Sequence, residues 1–358
     1  MALLDLQVVT VRGTPHQMGL AHGQALAGLI QRFVPMRFDA TRDYLQGLGH
    51  DSVAPLLDVA RQALAIYADW HPDGYTEHLA IAEGAGVDPV DLYAAANMTD
   101  LRDVLALAGP VADAEGCSAV LIPAQMTRSQ ELLVAQTWDL NPQDLDYVVA
   151  IVREPDHGPK TFSVTCSGCL TLVGFSDAGL AVGTTNLKTQ GSHVGLGYMS
   201  VLHKMLASPD FATAAAVCET APRAAAHTYW LADATRAAEW ETTGFSAVRR
   251  DLAATPLTRT NHCQVAAHSA VEGEAPSASS LARLQRLQTL LNGQNDHDLN
   301  SLQAVFADRA DGIHSINRFA EDEQGTATNS CFVCIPAQKR AWACRGSADR
   351  GVWQSFAF

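Results

Sequence analysis

The segment Asp113-Ala114-Glu115-Gly116-Cys117-Ser118 lies at a seam in the chain. Before it, apolar residues recur every three or four positions; after it, they gather in short runs rich in Val, Leu, Thr and aromatics. A Gly followed by a Cys at such a seam has a chemical use. Gly permits backbone angles closed to other residues and offers an unhindered carbonyl. The Cys117 thiol can attack that carbonyl and shift the peptide bond to a thioester, and water then releases Cys117 as a new N-terminus. The freed α-amine has a reference pKa of about 7.7–8.0. One residue would then hold both a nucleophile and its general base. Without its surroundings the pair is also open to a plainer reading, a buried cysteine serving as a small hydrophobe.

Working upstream, residues 17–34 place Met18, Leu26, Leu29, Ile30 and Phe33 on a helical stripe, and residues 53–67 repeat the pattern with Leu56, Leu57, Leu64 and Ile66. Asp88-Pro89 predicts a helix start, an acceptor at the cap and a residue that needs no donor. That helix is expected to run through Leu92 to about Leu107, where Ala108-Gly109-Pro110 breaks it. Downstream, strands are expected over 118–123, 132–138, 147–153, 162–166, 169–175 and 180–184, punctuated by Asn141-Pro142 and Asp177-Ala178-Gly179. A helical block follows at 198–206 and 211–219, then strands at 228–231 and 238–241. Residues 279–291 carry Leu281, Leu284, Leu287, Leu290 and Leu291 on one side of a helix, and 331–335, 341–344 and 353–358 read as strands. The small, polar stretch 266–280 reads as a loop. Strands before and after a helical block point to α+β layers around one core, and no glycine pattern stands where dinucleotide or phosphate binding needs it.

Composition narrows the function. The 358 residues are enough for two folding units or one large one, and 47% hydrophobic residues exclude a disordered chain. Lys plus Arg number 24 against 38 Asp plus Glu, a net charge of −14 with no basic cluster, which argues against a nucleic-acid partner. No apolar run approaches the ~20 residues of a membrane span, and residues 1–12 lack a basic-then-apolar layout. A soluble, cytoplasmic protein is expected. The eight cysteines are then expected to be thiols rather than disulfides. Cys166-Ser167-Gly168-Cys169 and Cys331-Phe332-Val333-Cys334 together resemble a zinc ligand set, but they are far apart and lie in expected strands, where positions three apart face opposite ways. No metal and no cofactor is therefore expected. His193, His203, His227, His262 and His314 could pair with a cysteine in a papain-like scheme, yet the local signature of that scheme is absent.

In five places, in order, the chain resembles the acyl-coenzyme A:isopenicillin N acyltransferase-like family of N-terminal-nucleophile (Ntn) hydrolases. Arg12-Gly13-Thr14-Pro15 through Gly19, His22-Gly23 and Ile30 resembles the family's opening. Gly116-Cys117-Ser118 resembles its cleavage site, more often Gly-Cys-Thr. Gln136-Thr137-Trp138-Asp139 is similar to its Asn-Trp-Asp motif, with Thr137 in place of the Asn. Thr260-Asn261-His262 matches its Thr-Asn-His motif and is followed by an arginine-rich helix over 280–287. Ser315-Ile316-Asn317-Arg318 resembles the segment before its final strands.

The resemblance implies a four-layer αββα Ntn-hydrolase sandwich with a helical N-terminal segment, made from a zymogen by autocatalytic cleavage between Gly116 and Cys117. Residues 1–116 would form the α chain and 117–358 the catalytic β chain, the two staying together as a heterodimer. Cys117 would be the thiol nucleophile, forming an acyl-thioester from a small-molecule amide or an acyl-coenzyme A. Water as acceptor makes the protein an amidase, an amine makes it an acyltransferase. Asn261 would donate to the oxyanion, Asp139 would orient the Cys117 amine, Arg318 would hold Asp139 or a substrate carboxylate, and Asn186 would line the pocket. Each has a structural alternative: a turn cap for Asp139, a strand end for Asn261, a surface ion pair for Arg318, a plain turn for Asn186. His262, next to Asn261 along an expected strand, should face away. Thr137 keeps open an uncleaved, non-enzymatic binding protein.

Overall fold

A computed structural model describes residues 3–47, 49–105, 116–273, 275–323 and 325–358. The expected break at Ala108-Gly109-Pro110, the end of its helix at Leu107, and Asp113-Ala114-Glu115 lie outside the described residues.

The N-terminal third is helical except at its start. Strand β1 (Gln7–Gly13) leads into helices α1 (Pro15–Ala25), α2 (Ala27–Gly47), α3 (Ala54–Trp70), α4 (Pro72–Ala85), α5 (Pro89–Ala96) and α6 (Met98–Leu105). The single helix expected over 17–34 is two, parted at Leu26, and the one opened by Asp88 is interrupted at Asn97. Periodicity survives such breaks, so sequence spacing alone does not reveal them. The cap at Asp88 forms as expected, accepting from the Val90 and Asp91 amides. The opening motif also has a physical account. Thr14 and Gln17 close a capping box around Pro15. Gly19 and Gly23 then let α1 touch the α4 backbone, where a Cβ would stand 2.3 Å from the Glu77 carbonyl oxygen and 2.2 Å from that of Ile81.

The remainder holds β2 (Ser118–Ile122), β3 (Leu133–Leu140), β4 (Val148–Pro155), β5 (Thr161–Cys166), β6 (Val173–Ser176), β7 (Ala181–Asn186), α7 (Tyr198–Leu206), α8 (Phe211–Thr220), β8 (His227–Ala232), β9 (Ala237–Thr242), β10 (Ala247–Asp251) and β11 (Leu257–Arg259). The chain ends with α9 (Ala266–Ser269), α10 (Ala278–Leu291), α11 (Leu299–Phe306), β12 (Ala327–Ile335), β13 (Arg340–Arg345) and β14 (Gln354–Ala357). Two expectations are corrected. The strand expected over 169–175 begins only at Val173, after a turn in which Gly168 takes a positive φ. The stretch 266–280 is not wholly loop, since it contains α9 and the start of α10.

An eight-stranded sheet runs β1-β4-β5-β6-β7-β8-β9-β10, and a six-stranded sheet runs β11-β2-β3-β12-β13-β14. All pairings are antiparallel except β1 with β4. The alternation along β2 sets the layers. Val120 and Ile122 pack with Leu287, Leu291, Leu302 and Phe306 of α10 and α11, whereas Ala119 and Leu121 join the core shared with the other sheet and the N-terminal helices. Between the sheets, Gln136 Oε1 accepts from Trp230 Nε1 at 2.7 Å and from the Thr184 amide at 2.8 Å. The fold is α+β, in the αββα order the resemblance implies. β12 shows why a zinc set fails there: Cys331 lies in the core under α10 and Cys334 in the core between the sheets. Among the described residues no helix is long and apolar enough to cross a membrane, and no group of three or more His, Cys, Asp or Glu is placed to hold a metal ion.

Candidate active site

The seam residue Gly116 lies against the carboxyl end of β3, its amide 3.3 Å from the Asp139 carbonyl oxygen. A Cβ on it would stand 2.5 Å from Arg318 Nη1 and 3.1 Å from Asp139 Cβ, so a larger residue would have to displace the buried Arg318 guanidinium. Cys117 follows, buried, and then β2 begins. The Ser118 amide donates to Thr137 Oγ1 at 3.2 Å, so Thr137, the departure from the Asn-Trp-Asp motif, holds the start of β2.

Arg283, on α10, ties the site together. Its guanidinium is fully buried. Nη1 donates to the Cys117 carbonyl at 2.6 Å and to Ser118 Oγ at 3.0 Å, and Nη2 donates to Asn261 Oδ1 at 2.9 Å. Burial, and then repulsion from Arg318, bring its pKa down to about 9. Arg283 stands in the arginine-rich helix that follows Thr260-Asn261-His262, with no local signal that sets it apart from its neighbours. Its periodic neighbours Leu284 and Leu287 suggested only a packed helix.

The Thr260-Asn261-His262 segment is not a strand. β11 ends at Arg259, and the next residues wrap around the first turn of α10. Ser280 Oγ accepts the Asn261 amide at 2.9 Å and lies 2.8 Å from His262 Nδ1, while Thr260 Oγ1 donates to the Ser280 carbonyl at 3.0 Å. His262 is thus held by Ser280, a structural role as expected, but by a bend rather than by strand alternation. The Asn261 side chain points the other way: Nδ2 donates to the Asn186 carbonyl at 3.1 Å. An amide nitrogen carries two hydrogens, so one remains for a further acceptor.

Asp139 is completely buried and faces Arg318, Nε to Oδ2 4.0 Å, too long for a direct hydrogen bond. The hydroxyls of Thr328 and Thr137 stand near it, yet neither makes a well-formed bond to the carboxylate. Burial therefore wins over the attraction of Arg318 and Arg283, and its pKa is pushed up to about 6. Arg318 is itself buried and is held by Thr326 at 2.7 Å and by Ser279 of α10. The surface-ion-pair alternative for Arg318 is excluded by that burial.

A narrow cleft with about 20 Å³ of free interior lies beside Cys117, walled by Trp138, Asp139 and Leu140 from one sheet and by Thr184, Asn186 and His227 from the other, with Thr99 and Tyr198 closing it. Asn186 lies at the end of β7 with its Oδ1 buried and without a hydrogen-bond partner among the described residues. Of the five expected site residues, Cys117, Asp139 and Asn186 line this cleft, Asn261 reaches it through Asn186 and Arg283, and Arg318 stands behind Asp139. His227 shares the cleft, but its ring nitrogens face Asp100 and Thr184. That geometry does not suit the base of a papain-like pair.

With this site in view, residues 126–350 match the family described as Acyl-coenzyme A:6-aminopenicillanic acid acyl-transferase, and the chain belongs to that family. The matched stretch holds Asp139, Asn186, Asn261, Arg283 and Arg318 and starts just after Cys117. The chain is 26% identical over 183 residues to the acyl-coenzyme A:6-aminopenicillanic-acid-acyltransferase 40 kDa form of Emericella nidulans, which covers 51% of this chain and 48% of that protein. The chain thus spans about half the length of the curated relative it matches. Among solved structures, a Caenorhabditis elegans ortholog of N-acylethanolamine-hydrolyzing acid amidase aligns at 12% identity and a TM-score of 0.45, covering 68% of this chain and 100% of that one. Penicillin V acylase from Agrobacterium tumefaciens aligns at 13% identity and 0.45, covering 68% and 86%.

Proposed function

We propose that the protein is a self-processing acyltransferase or amidohydrolase in which Cys117 becomes an N-terminal nucleophile. The observation that carries this reading is the buried Gly116-Cys117 step at the mouth of a cleft, with the Arg283 guanidinium on the Cys117 carbonyl and Asn261 on the same guanidinium. In maturation the thiol attacks the Gly116 carbonyl, the peptide nitrogen takes a proton and leaves, and water hydrolyses the thioester. The products are residues 1–116 ending in a carboxylate and 117–358 beginning with an amine. In turnover that amine takes the thiol proton, the sulfur adds to an amide or thioester carbonyl, and the proton passes to the leaving group. The remaining Asn261 hydrogen serves the oxyanion, a contribution of order 3 kcal/mol where such donors have been removed. Water or an amine then takes the acyl group. Asp139 orients the new amine, and Arg318 holds the Asp139 charge.

The two pieces would stay together as a heterodimer. β1 supplies an edge of the eight-stranded sheet, and buried pairs cross the boundary: Arg37 with Asp144 at 2.9 Å, Glu77 with Arg153 at 2.6 Å and Asp100 with His227 at 3.1 Å. Breaking such a pair by removing one partner costs roughly 3–5 kcal/mol. Intact mass of the purified protein tests the reading. Two fragments divided at Gly116–Cys117 are expected, with an acyl adduct on the 117–358 fragment after brief exposure to substrate. Division at the same bond in Cys117→Ala would overturn it.

A further inference from the structure

The Asn261 side chain can serve an oxyanion only if the bend that carries it is fixed. Thr260-Asn261-His262 stands between Arg259, the last residue of β11, and Gln264-Val265, which lead into α9. Both ends of the bend come to one side chain, Glu241 of β9, which is fully buried. Its Oε2 pairs with Arg259 Nη2 at 2.6 Å and accepts the Gln264 amide at 2.7 Å. Its Oε1 accepts the Val265 amide at 3.0 Å and stands 3.1 Å from His268 Nδ1. The Cys263 amide, one step earlier, donates to Glu272 Oε1 at 2.5 Å. Three successive backbone amides are thus aimed at carboxylates.

Strand alternation puts Glu241 there. Glu239 and Glu241, two apart on β9, face the same way and meet Arg259, while Trp240 between them turns to Phe211 of α8. Arg259 bridges the two carboxylates, with Nε on Glu239, and Arg250 of β10 covers the other Glu239 oxygen at 2.8 Å. Burial works against the Arg259 charge, and Glu239 and Glu241 outweigh it and raise its pKa. On the side of the bend away from Glu241, Thr185 Oγ1 donates to the Thr260 carbonyl at 2.9 Å.

We infer that Glu241 is a positioning residue for the oxyanion donor: it closes the bend at both ends and so sets where Asn261 Nδ2 stands. The inference rests on the reading of Asn261 as that donor. The contacts of Asn261 itself, to Asn186 and Arg283, aim its side chain. The Glu241 carboxylate fixes the backbone from which it is aimed. Misplacing a reacting group by about 1 Å can cost about 10²-fold in rate. The loss through Glu241 has a ceiling, the loss of the donor itself, about 10²–10³.

The test is a double-mutant cycle on fully processed protein. The probe is p-nitrophenyl butyrate, an activated acyl ester, with the rate of Cys117→Ala subtracted. Glu241→Gln places an NH₂ where donors converge, and it should lower kcat by about 10- to 100-fold with KM within about threefold. In an Asn261→Ala background the same substitution should cost less than about twofold, because the donor it positions is gone. Equal cost in both backgrounds, or a loss carried by KM alone, would make Glu241 a residue of general stability and overturn the inference. Glu241→Asp keeps the charge one methylene short and carries the same comparison if the Gln protein does not fold. A wild-type protein that divides at Gly116–Cys117 and takes up the butyryl group, yet loses nothing in Glu241→Gln, would sink the inference alone. No butyryl adduct on Cys117 in the wild type would remove the proposed function and the inference with it.

Discussion

Asp139→Asn should make the protein more stable at pH 8 while removing activity. Burial lifts the Asp139 carboxyl from its ordinary 3.8 to about 6. A carboxylate raised in this way contributes stability below its unfolded pKa, and that contribution is lost as the pH climbs through the folded value. The gap of about two pK units corresponds to about 3 kcal/mol. The nearby Arg318 and Arg283 lose a counter-charge in the variant, so about 2 kcal/mol is the more realistic gain above pH 7. With an unfolding entropy of about 2.1 cal/mol/K per residue, the 358 residues convert that into an increase in Tm of about 3 °C. Calorimetric scans of Cys117→Ala and of Cys117→Ala with Asp139→Asn, at pH 4.5 and pH 8, keep chain cleavage out of the comparison. The variants should lie closer together at pH 4.5, where about a third of the difference is already present, and separate further at pH 8, the Asn form melting higher. An Asn form that melts lower at pH 8 would show that the carboxylate is held by its arginines more strongly than burial opposes it, and the account of Asp139 would be wrong.

Other perturbations bear on neighbouring groups. Asn261→Ala, assayed on the fully processed fraction, should lower kcat by about 10²–10³ with KM changed far less, and near wild-type turnover would remove Asn261 from the oxyanion site. Arg283→Met strands the Cys117 carbonyl, Ser118 Oγ and Asn261 Oδ1, so a loss of roughly 3 kcal/mol is expected from those buried acceptors; an unchanged urea midpoint would refute its placement. One equivalent of iodoacetamide should label Cys117 first, because burial pushes Cys169 and Cys218 up to about 12 and raises Cys166, Cys263, Cys331 and Cys334 as well. Peptide mapping that finds those six labelled while activity survives would place the nucleophile elsewhere.

Much of the fold could be read locally. Asp88-Pro89 starts a helix and Tyr198–Leu206 forms one because their signals, a cap and a 3.6-residue period, act within a few residues. The seam at Cys117 was legible for the same reason, since periodicity changes there. β1 was not legible. Gln7–Gly13 is a strand because β4, far along the chain, offers it a parallel edge, and nothing in seven half-exposed residues announces that partner. Gly116 could be singled out by type, but only the folded chain shows what lies beside it, the Arg318 guanidinium where a Cβ would stand.

The site divides in the same way. Sequence by itself determined the order of motifs and hence the family, and with it the candidate set Cys117, Asp139, Asn261 and Arg318, because each is a residue type at a local position. Tertiary structure alone decided how they meet. It put Arg283 on the Cys117 carbonyl across 166 residues of chain and buried Asp139 against Arg318. It also joined Asp100 of the N-terminal segment to His227 across 127. Those contacts rest on which faces of two sheets and three helices are brought together, and on burial that changes the charge preference of each group. Neither distance nor dielectric is written in a linear sequence.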